Sequence, residues 1–307
     1  MADTLTLEVP ETLDGSRVDK ALSSLLGVSR FVARELLDRG VILDGRPARP
    51  RDRVHTGSRI ETPHPAVEVA LQPEEVAFDV LYEDDALLVV DKPTGVVVHP
   101  GSGTREGTLA AGLLNRYPEL EGVGDAGRWG LIHRLDKDTS GTLIVARTQD
   151  AYRTLTADLA ARKIGRTYTS LVHGRFSVPT GTIEAPIGRD PSRPTRRAVI
   201  PTGKPAVTHY EVIGDYPGHD VSLLEVRLET GRTHQIRVHL AAIDHPVIGD
   251  RTYSPFNTSV KAPRVFLHAR RVHLIHPSSG AILDVESPLP PDLSRVLERL
   301  GDQPLAT

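Results

Sequence analysis

Residues 133–141 read HRLDKDTSG, and the interpretation of the rest of the chain starts from them. The apolar Leu131 and Ile132 precede this segment and an apolar run from Thr142 follows it, so we predict a polar loop held between two sheet elements. Catalytic groups are commonly presented by polar loops on a rigid scaffold. Asp136 lies in the middle of this loop, where an aspartate either caps a turn or acts as a covalent nucleophile.

The composition restricts the class of protein around this loop. Of the 307 residues, 39% are apolar and only 4% aromatic, which predicts a sizeable core built mostly of Val, Leu, Ile and Ala. The absence of cysteine excludes a disulfide framework, a thiolate zinc site and a cysteine nucleophile. We find neither a secretory signal near Met1 nor an apolar run of membrane-spanning length. We therefore expect a cytoplasmic protein with no membrane partner.

Positive charge is concentrated near the N-terminus, although the whole chain has a formal net charge of −3. Residues 15–59 contain ten Lys or Arg and five Asp or Glu, a local charge of +5. A phosphate backbone attracts such local positive charge, but a solvated charged surface is the simpler alternative from charge alone.

The residue pattern predicts a small N-terminal unit and a larger second one. In the small unit, helices are expected over residues 17–26 and 29–40, followed by a short strand at 41–43 and an Asp-Gly turn. Residues 63–73 are rich in proline and are predicted to form a linker, which gives domains of residues 1–72 and 73–307. In the larger unit, helices are expected over residues 108–115, 150–161 and 233–242. Strands are expected over residues 80–82, 86–91, 96–98, 142–146, 166–173, 206–212, 221–228, 265–275 and 281–285. This is an α+β pattern rather than a regular βαβ alternation.

Three segments together resemble the RluA family of RNA pseudouridine synthases. They are residues 133–141, residues 166–168, which read RTY, and residues 230–240, which read TGRTHQIRVHL. The resemblance runs over most of residues 76–291 and includes VDKPTG at 90–95, HPVIGD at 245–250 and LHA at 267–269. It implies a mixed, mostly antiparallel central sheet with flanking helices, conversion of uridine in RNA to pseudouridine, and no cofactor.

The resemblance also implies roles for individual residues. Asp136 corresponds to the catalytic carboxylate, Arg237 to the basic residue that pairs with it, and Tyr168 to a tyrosine that contacts the uracil ring. An adjacent cation favours the ionised form of a carboxylate. A base cannot react inside a stack, and a planar guanidinium such as that of Arg134 can fill the gap when the base leaves. The residues expected to bind RNA in this region are Arg134, Arg166 and Arg232. Residues 136, 168 and 237 lie far apart in the chain, so the fold must bring three segments together.

The N-terminal unit resembles an S4 RNA-binding domain. The resemblance rests on RVDKAL at residues 17–22, Ser29 with Arg30, and GVILDG at 40–45. It implies contact with structured RNA through charge and shape, with Arg17, Lys20 and Arg30 as the expected contacts. Asp44 departs from the asparagine that S4 units often carry, which keeps the turn but adds a negative charge. Family members with this arrangement act on large-subunit ribosomal RNA, which is therefore the expected partner of a chain that we expect to be monomeric.

Other functions are compatible with parts of this pattern. A non-catalytic RNA-binding or ribosome-assembly factor could retain the same fold, but such a protein has no need for an ionised carboxylate that faces RNA phosphates. A glycoside or nucleoside hydrolase would require a second carboxylate, and none stands out beside Asp136. His234 and His239 are five residues apart and belong to no HExxH helix, so we expect no metal site.

Overall fold

The computed structural model describes residues 4–28, 30–64, 71–100, 104, 106–125, 127–193, 196–254 and 260–301. Within them the N-terminal elements are β1 (Thr4–Glu8), α1 (Val18–Leu26), α2 (Arg30–Asp38), β2 (Ile42–Leu43), β3 (Arg46–Pro47) and β4 (Arg59–Pro63). The four strands form one sheet in the order β1-β4-β2-β3. The predicted helix start at Ser29 and most of the predicted linker, residues 65–70, lie outside the described residues.

The local sequence explains how this first sheet and its two helices form. Buried Val18, Ala21 and Leu22 repeat at helical spacing and place one face of α1 against the other N-terminal apolar residues. Asp44 and Gly45 both have positive φ, 48° and 78°, as the mirror-image turn of a two-residue hairpin requires. The predicted Asp-Gly turn is therefore confirmed, and it joins β2 to β3.

A nine-stranded sheet dominates the rest of the chain, with the order β5-β6-β7-β14-β8-β13-β12-β9 and β15 paired to β14. The strands are β5 (Asp79–Glu83), β6 (Leu87–Lys92), β7 (Ser140–Ala146), β8 (Gly165–His173), β9 (Thr180–Glu184), β10 (Ile187–Arg189), β11 (Arg197–Val199), β12 (Val207–Tyr216), β13 (Val221–Leu228), β14 (Leu267–Ile275) and β15 (Ile282–Glu286). Strands β10 and β11 form a separate two-stranded hairpin. The pair β7–β14 is parallel and the other described pairs of the large sheet are antiparallel, which confirms the predicted mixed, mostly antiparallel sheet.

Helices cover both faces of this sheet. They are α3 (Leu109–Arg116), α4 (Gln149–Ala160), α5 (Gln235–Ala242) and α6 (Pro291–Leu300). Strand β7 shows the division, because Leu143 and Val145 pack with α3, α5 and α6 whereas Ile144 and Ala146 pack with α4. Tyr168 belongs to the first of these cores, so α4 lies on the face of the sheet opposite to it. None of the helices among the described residues is long and apolar enough to span a bilayer.

Some elements differ from those predicted. The strand expected at residues 96–98 is wrong, because Val97 makes only an isolated bridge to Thr108. Sequence reasoning also missed β3, β4, β9, the β10–β11 hairpin and α6. The missed strands have two to five residues, too few for a clear alternation pattern. Helix α6 did carry a readable signal, since Pro291 opens it in the position that proline favours.

Gly141 stands at the point where the predicted catalytic loop joins the large sheet. Its φ is +114°, and a Cβ added there would lie 2.2 Å from the carbonyl oxygen of Ala269 on the neighbouring strand β14. The parallel pairing of β7 with β14 therefore needs a residue without a side chain at this position.

We expect Gly141→Ala to lower the free energy of unfolding by at least about 2 kcal/mol, since backbone must move to admit the methyl group. Gly218→Ala is the control, because a Cβ there meets no atom within 4 Å. The control should change stability by less than about 0.5 kcal/mol. Urea unfolding followed by circular dichroism measures both values, and equal stabilities of the two variants would contradict the close approach.

Candidate active site

Asp136 and Arg237 meet although they are 101 residues apart in the chain. Asp136 lies on the loop before β7, and Arg237 lies in the first turn of α5. Nη1 of Arg237 donates to Oδ2 of Asp136 at 3.0 Å, and the two side chains are 11% and 18% exposed. The ion pair between Asp136 and Arg237 that the resemblance implied is thus formed, and both side chains are partly accessible to solvent. The catalytic roles of both residues stay predictions.

Asp250 holds the other side of the same guanidinium. Nε and Nη2 of Arg237 donate to the two carboxylate oxygens of Asp250 at 2.6 and 2.9 Å. Oδ1 of Asp250 also accepts the backbone N–H groups of Thr252 and Tyr253. A planar guanidinium bound in this bidentate way has a fixed orientation, so Arg237 presents its remaining donor to Asp136 in one direction.

Sequence reasoning missed Asp250 as a member of the site. Asp250 is not the second acid–base carboxylate that a hydrolase would require, because it lies across the Arg237 guanidinium. The Asp250 side chain is 0% exposed, so it can anchor the arginine but cannot touch a substrate. The available signal was an acidic residue directly after Gly249 in the family-like segment 245–250.

Burial and ion pairing oppose each other in this pair. Burial acts to raise the pKa of Asp250, but the hydrogen bonds and charge of Arg237 outweigh it and the pKa falls below its usual value. Burial likewise acts to lower the pKa of Arg237, and the two neighbouring carboxylates reverse this effect and raise it. Both groups are therefore charged at neutral pH.

His234 and Tyr253 form a second connection to Asp136. Nδ1 of His234 lies 2.8 Å from the hydroxyl of Tyr253, and Nε2 lies 4.0 Å from Oδ2 of Asp136. The Tyr253 hydroxyl also accepts the backbone N–H of Arg197 at 2.9 Å. The Tyr253 hydroxyl therefore joins the backbone of Arg197 to the imidazole of His234. Burial lowers the pKa of His234 despite the negative charge of Asp136, so the ring is neutral at pH 7.

Tyr168 and Arg166 lie two residues apart on β8, so their side chains share one face of the sheet. Tyr168 is 5% exposed and its hydroxyl makes no hydrogen bond with a described residue. Burial raises the pKa of Tyr168, and the charge of Asp136 raises it further against the opposing effect of Arg166. Arg166 is 6% exposed, and among the described residues it has neither a carboxylate partner nor a partner for Nε. The structure thus places a buried, unpaired cation beside the tyrosine and not on the protein surface.

The other residues predicted to bind RNA occupy three different settings. Arg134 is exposed, two residues before Asp136, and its side chain makes no hydrogen bond within the described part of the chain. Arg232 donates through Nε to the carbonyl oxygen of Pro205 at 3.0 Å, which gives it a structural contact. Lys20 is exposed on α1, far along the chain from the site.

Arg17 and Arg30 are tied to one buried carboxylate in the N-terminal unit. Each donates to Oδ2 of Asp19 at 2.9 Å, and Nε of Arg34 lies 3.5 Å from the same oxygen. The Asp19 side chain is 0% exposed, whereas the three arginines are 40–53% exposed. One negative charge thus orients three positive ones, and the cluster carries a surplus of two positive charges.

Buried Lys92 supports the loop that carries Asp136. This side chain is 0% exposed, and its Nζ donates to the carbonyl oxygens of Pro93, Val96 and Lys137 at 2.7, 2.9 and 3.1 Å. An ammonium has three donors, so all of them are used. Burial, helped by the charge of Arg264, lowers the pKa of Lys92 to about 7. Segment 90–95 therefore supports the backbone of Lys137, the residue directly after Asp136.

His133, at the start of the loop, is buried in its neutral form. Its Nε2 accepts the backbone N–H of Ile144 at 3.2 Å, and its Nδ1 has no partner among the described residues. Burial lowers the pKa of His133 to about 3, and the charge of Arg166 works in the same direction. Among the described residues there is no group of three or more His, Cys, Asp or Glu side chains that could hold a metal ion.

Comparisons with known proteins define the family. A profile of the family described as RNA pseudouridylate synthase matches residues 86–242. A Chloroflexus aurantiacus protein named as an uncharacterized RNA pseudouridine synthase is 44% identical, over 98% of this chain and 95% of that protein. The proteins named ribosomal large subunit pseudouridine synthase D from Nitrosomonas europaea and Escherichia coli are 42% and 38% identical. The alignments cover 98% and 96% of this chain and 89% and 93% of those proteins.

The fold is shared with a solved structure. Human RNA pseudouridylate synthase domain containing 1 superposes with a TM-score of 0.58 at 27% identity, over 76% of this chain and 98% of that one. The chain belongs to the RNA pseudouridylate synthase family, as its resemblance to RluA-type enzymes implied, and it is an enzyme that isomerises uridine to pseudouridine in RNA.

The neutral burial of His133 predicts how stability depends on pH. The pKa of His133 in the folded state lies below the ordinary value of 6.5. Its neutral ring therefore contributes fully to the free energy of unfolding above about pH 6.5, and this contribution is lost as the pH falls toward 3. Between pH 7 and pH 4.5 we expect the wild type to lose about 2–3 kcal/mol more than His133→Gln, whose amide oxygen can still accept the Ile144 N–H. Urea unfolding at both pH values measures the difference. His219→Gln, at an exposed turn, should follow the wild type, and the same loss in His133→Gln as in the wild type would contradict the neutral ring.

Proposed function

We propose that this enzyme converts specific uridines of large-subunit ribosomal RNA to pseudouridine, with Asp136 as the catalytic carboxylate. The observation that carries the proposal is the fixed position of Asp136: the guanidinium of Arg237, anchored by buried Asp250, directs one partly exposed carboxylate outward. The choice of RNA is supported by relatives that are named for the ribosomal large subunit and align over almost the whole chain.

The reaction needs a single carboxylate and no change of composition. The bond between N1 of uracil and C1′ of the ribose breaks, the ring turns, and a bond between C5 and C1′ forms. The proton on C5 is lost and N1 gains one, so atoms and charge balance without a cofactor. Asp136 can serve as the nucleophile at C1′ or at C6, or as a base on the ribose. Arg237 holds the carboxylate in one direction in each of these cases.

The neighbouring side chains suit an extruded nucleotide. Tyr168 can offer the uracil a stacking face and one hydroxyl, and exposed Arg134, which bonds no other described residue, can fill the gap that a displaced base leaves. Arg166 supplies an uncompensated positive charge next to Tyr168, which suits a developing negative charge on the departing uracil or a nearby phosphate. Arg232 keeps its terminal nitrogens available for RNA while Nε is bound to Pro205.

We further propose that residues 1–72 form an S4-like RNA-binding domain and residues 73–307 the catalytic domain. The N-terminal apolar residues form a cluster separate from the cores of the large sheet, which supports independent folding of the first unit. Arg17 and Arg30 are oriented outward by Asp19, and Lys20 adds a further exposed charge, as backbone contacts to RNA require. We expect the protein to act in the cytoplasm as a monomer.

The proposal is tested by release of tritium from RNA labelled at C5 of uridine, because that hydrogen leaves when the new bond forms. The RNA is transcribed large-subunit ribosomal RNA, supplied free or as a precursor particle. We expect wild type to release tritium and Asp136→Ala to be at least about a thousandfold slower, since the acting group is removed. Asp150→Ala, which removes an exposed carboxylate of α4, should match the wild type.

Two results would contradict the proposal. A wild-type rate for Asp136→Ala would remove this residue from the chemistry. Tight binding of the RNA by the wild type without tritium release on either form of it would favour a non-catalytic RNA-binding or ribosome-assembly factor.

A further inference from the structure

The hairpin formed by β10 and β11 carries two arginines directly opposite each other. Arg189 pairs with Arg197 at the end of the antiparallel ladder, so both side chains point to the same face of the hairpin. Like charges in this position repel, and neither side chain has a carboxylate partner within the part of the chain that the structure describes. The adjacent Asp190 uses its Oδ1 to accept the backbone N–H groups of Ser192 and Arg193.

Contacts with Tyr253 hold this hairpin beside the catalytic carboxylate. The Tyr253 hydroxyl accepts the backbone N–H of Arg197 and bonds His234, whose Nε2 is 4.0 Å from Asp136. The guanidinium of Arg196, the residue before Arg197, stacks on the Tyr253 ring with its Cζ 5.0 Å from the ring centroid. The side chains of Tyr253 and His234 thus link the backbone of Arg197, and with it the hairpin, to the neighbourhood of Asp136.

A third unpaired arginine lies within reach of the pair. Burial lowers the pKa of Arg197, and the positive charges of Arg189 and Arg134 lower it further. Arg134 lies on the loop of Asp136, so positive charge reaches the carboxylate from two separate elements. The charges of Arg189 and Arg134 both act on Arg197, and an anion bound between the opposed Arg189 and Arg197 would relieve their repulsion.

We infer that Arg189 and Arg197 bind backbone phosphates of the RNA beside the uridine that faces Asp136. This inference rests on the proposed function and extends it to a phosphate site on the β10–β11 hairpin. Each guanidinium offers a planar fork that matches a phosphate, and the two opposed forks on one face can hold one phosphate together or two in succession. The same phosphates relieve the repulsion between the arginines, so RNA binding and the order of the hairpin support each other.

The inference predicts an unusual combination of properties for Arg189→Gln/Arg197→Gln. RNA affinity should fall by roughly tenfold near 0.1 M salt, because two charged contacts are lost. The slope of the logarithm of the binding constant against the logarithm of salt concentration should decrease by about 1.4, which corresponds to two phosphates of a single strand. The midpoint of thermal unfolding should stay the same or rise, because a repulsion is removed from the free protein.

Both measurements use the full chain. The anisotropy of a fluorescent oligouridylate, read across a series of salt concentrations, gives the RNA affinity and the salt slope. Single-turnover tritium release at saturating ribosomal RNA gives the rate of the chemical step. Arg189→Lys/Arg197→Lys should recover most of the salt slope, because the charges return. The matched control is Arg153→Gln/Arg271→Gln, which removes two exposed arginines that pair with carboxylates of the protein. The control should bind RNA like the wild type. At saturating RNA the Arg189→Gln/Arg197→Gln enzyme should release tritium within about threefold of the wild-type rate, since its role is in binding.

An unchanged affinity and salt slope in Arg189→Gln/Arg197→Gln would overturn the inference while tritium release by the wild type upholds the proposed function. An equal loss of slope in the matched control would overturn it too, because the effect would then come from net charge. If the wild type released no tritium, the proposed function would fail, and a specific loss of slope would still assign these two arginines to phosphate.

Discussion

The guanidinium of Arg237, shared between buried Asp250 and partly exposed Asp136, is the interaction on which the rest of the site depends. Two of its nitrogens are committed to Asp250, and a third is left for Asp136 at 3.0 Å. A single buried cation between two carboxylates leaves a net negative charge at Asp136, which is the charge that a nucleophile or base needs. Removing Arg237 would leave two carboxylates without their shared cation, one of them on a side chain that is 0% exposed, which is costly.

Contacts with the large sheet and its loops fix the position of the loop that carries Asp136. Hydrogen bonds fix the backbone of the Asp136 loop. The ammonium of Lys92 and the N–H of Gly95 both donate to the carbonyl oxygen of Lys137. Arg264 donates to the carbonyl oxygen of Asp138 and to the hydroxyl of Ser140, one residue before the close approach at Gly141. None of these contacts uses the Asp136 carboxylate, so its direction is set by the hydrogen bond from Arg237.

The elements and contacts that could be predicted from the residue pattern of the sequence are those between residues close together in the chain. Strand β13 was predicted at its observed ends, Val221 and Leu228, because the apolar residues that mark it lie close together in the chain. The β10–β11 hairpin was not, since its two strands have three residues each and are held by Tyr253, some fifty residues later. The resemblance to a known family implied the pairing of Arg237 with Asp136. It did not reveal Asp250, whose importance lies in its position across the guanidinium and in its complete burial.

The most direct test of this account is the single-turnover rate of Arg237→Lys at saturating RNA. Lysine keeps the positive charge but lacks the planar fork, so it cannot bind Asp250 through two bonds and still direct Asp136. We predict a rate roughly a hundredfold below that of the wild type, with RNA affinity unchanged, because a small displacement of a reacting group has an effect of this size. A rate equal to that of the wild type in the folded variant would show that charge alone is sufficient and would contradict the account.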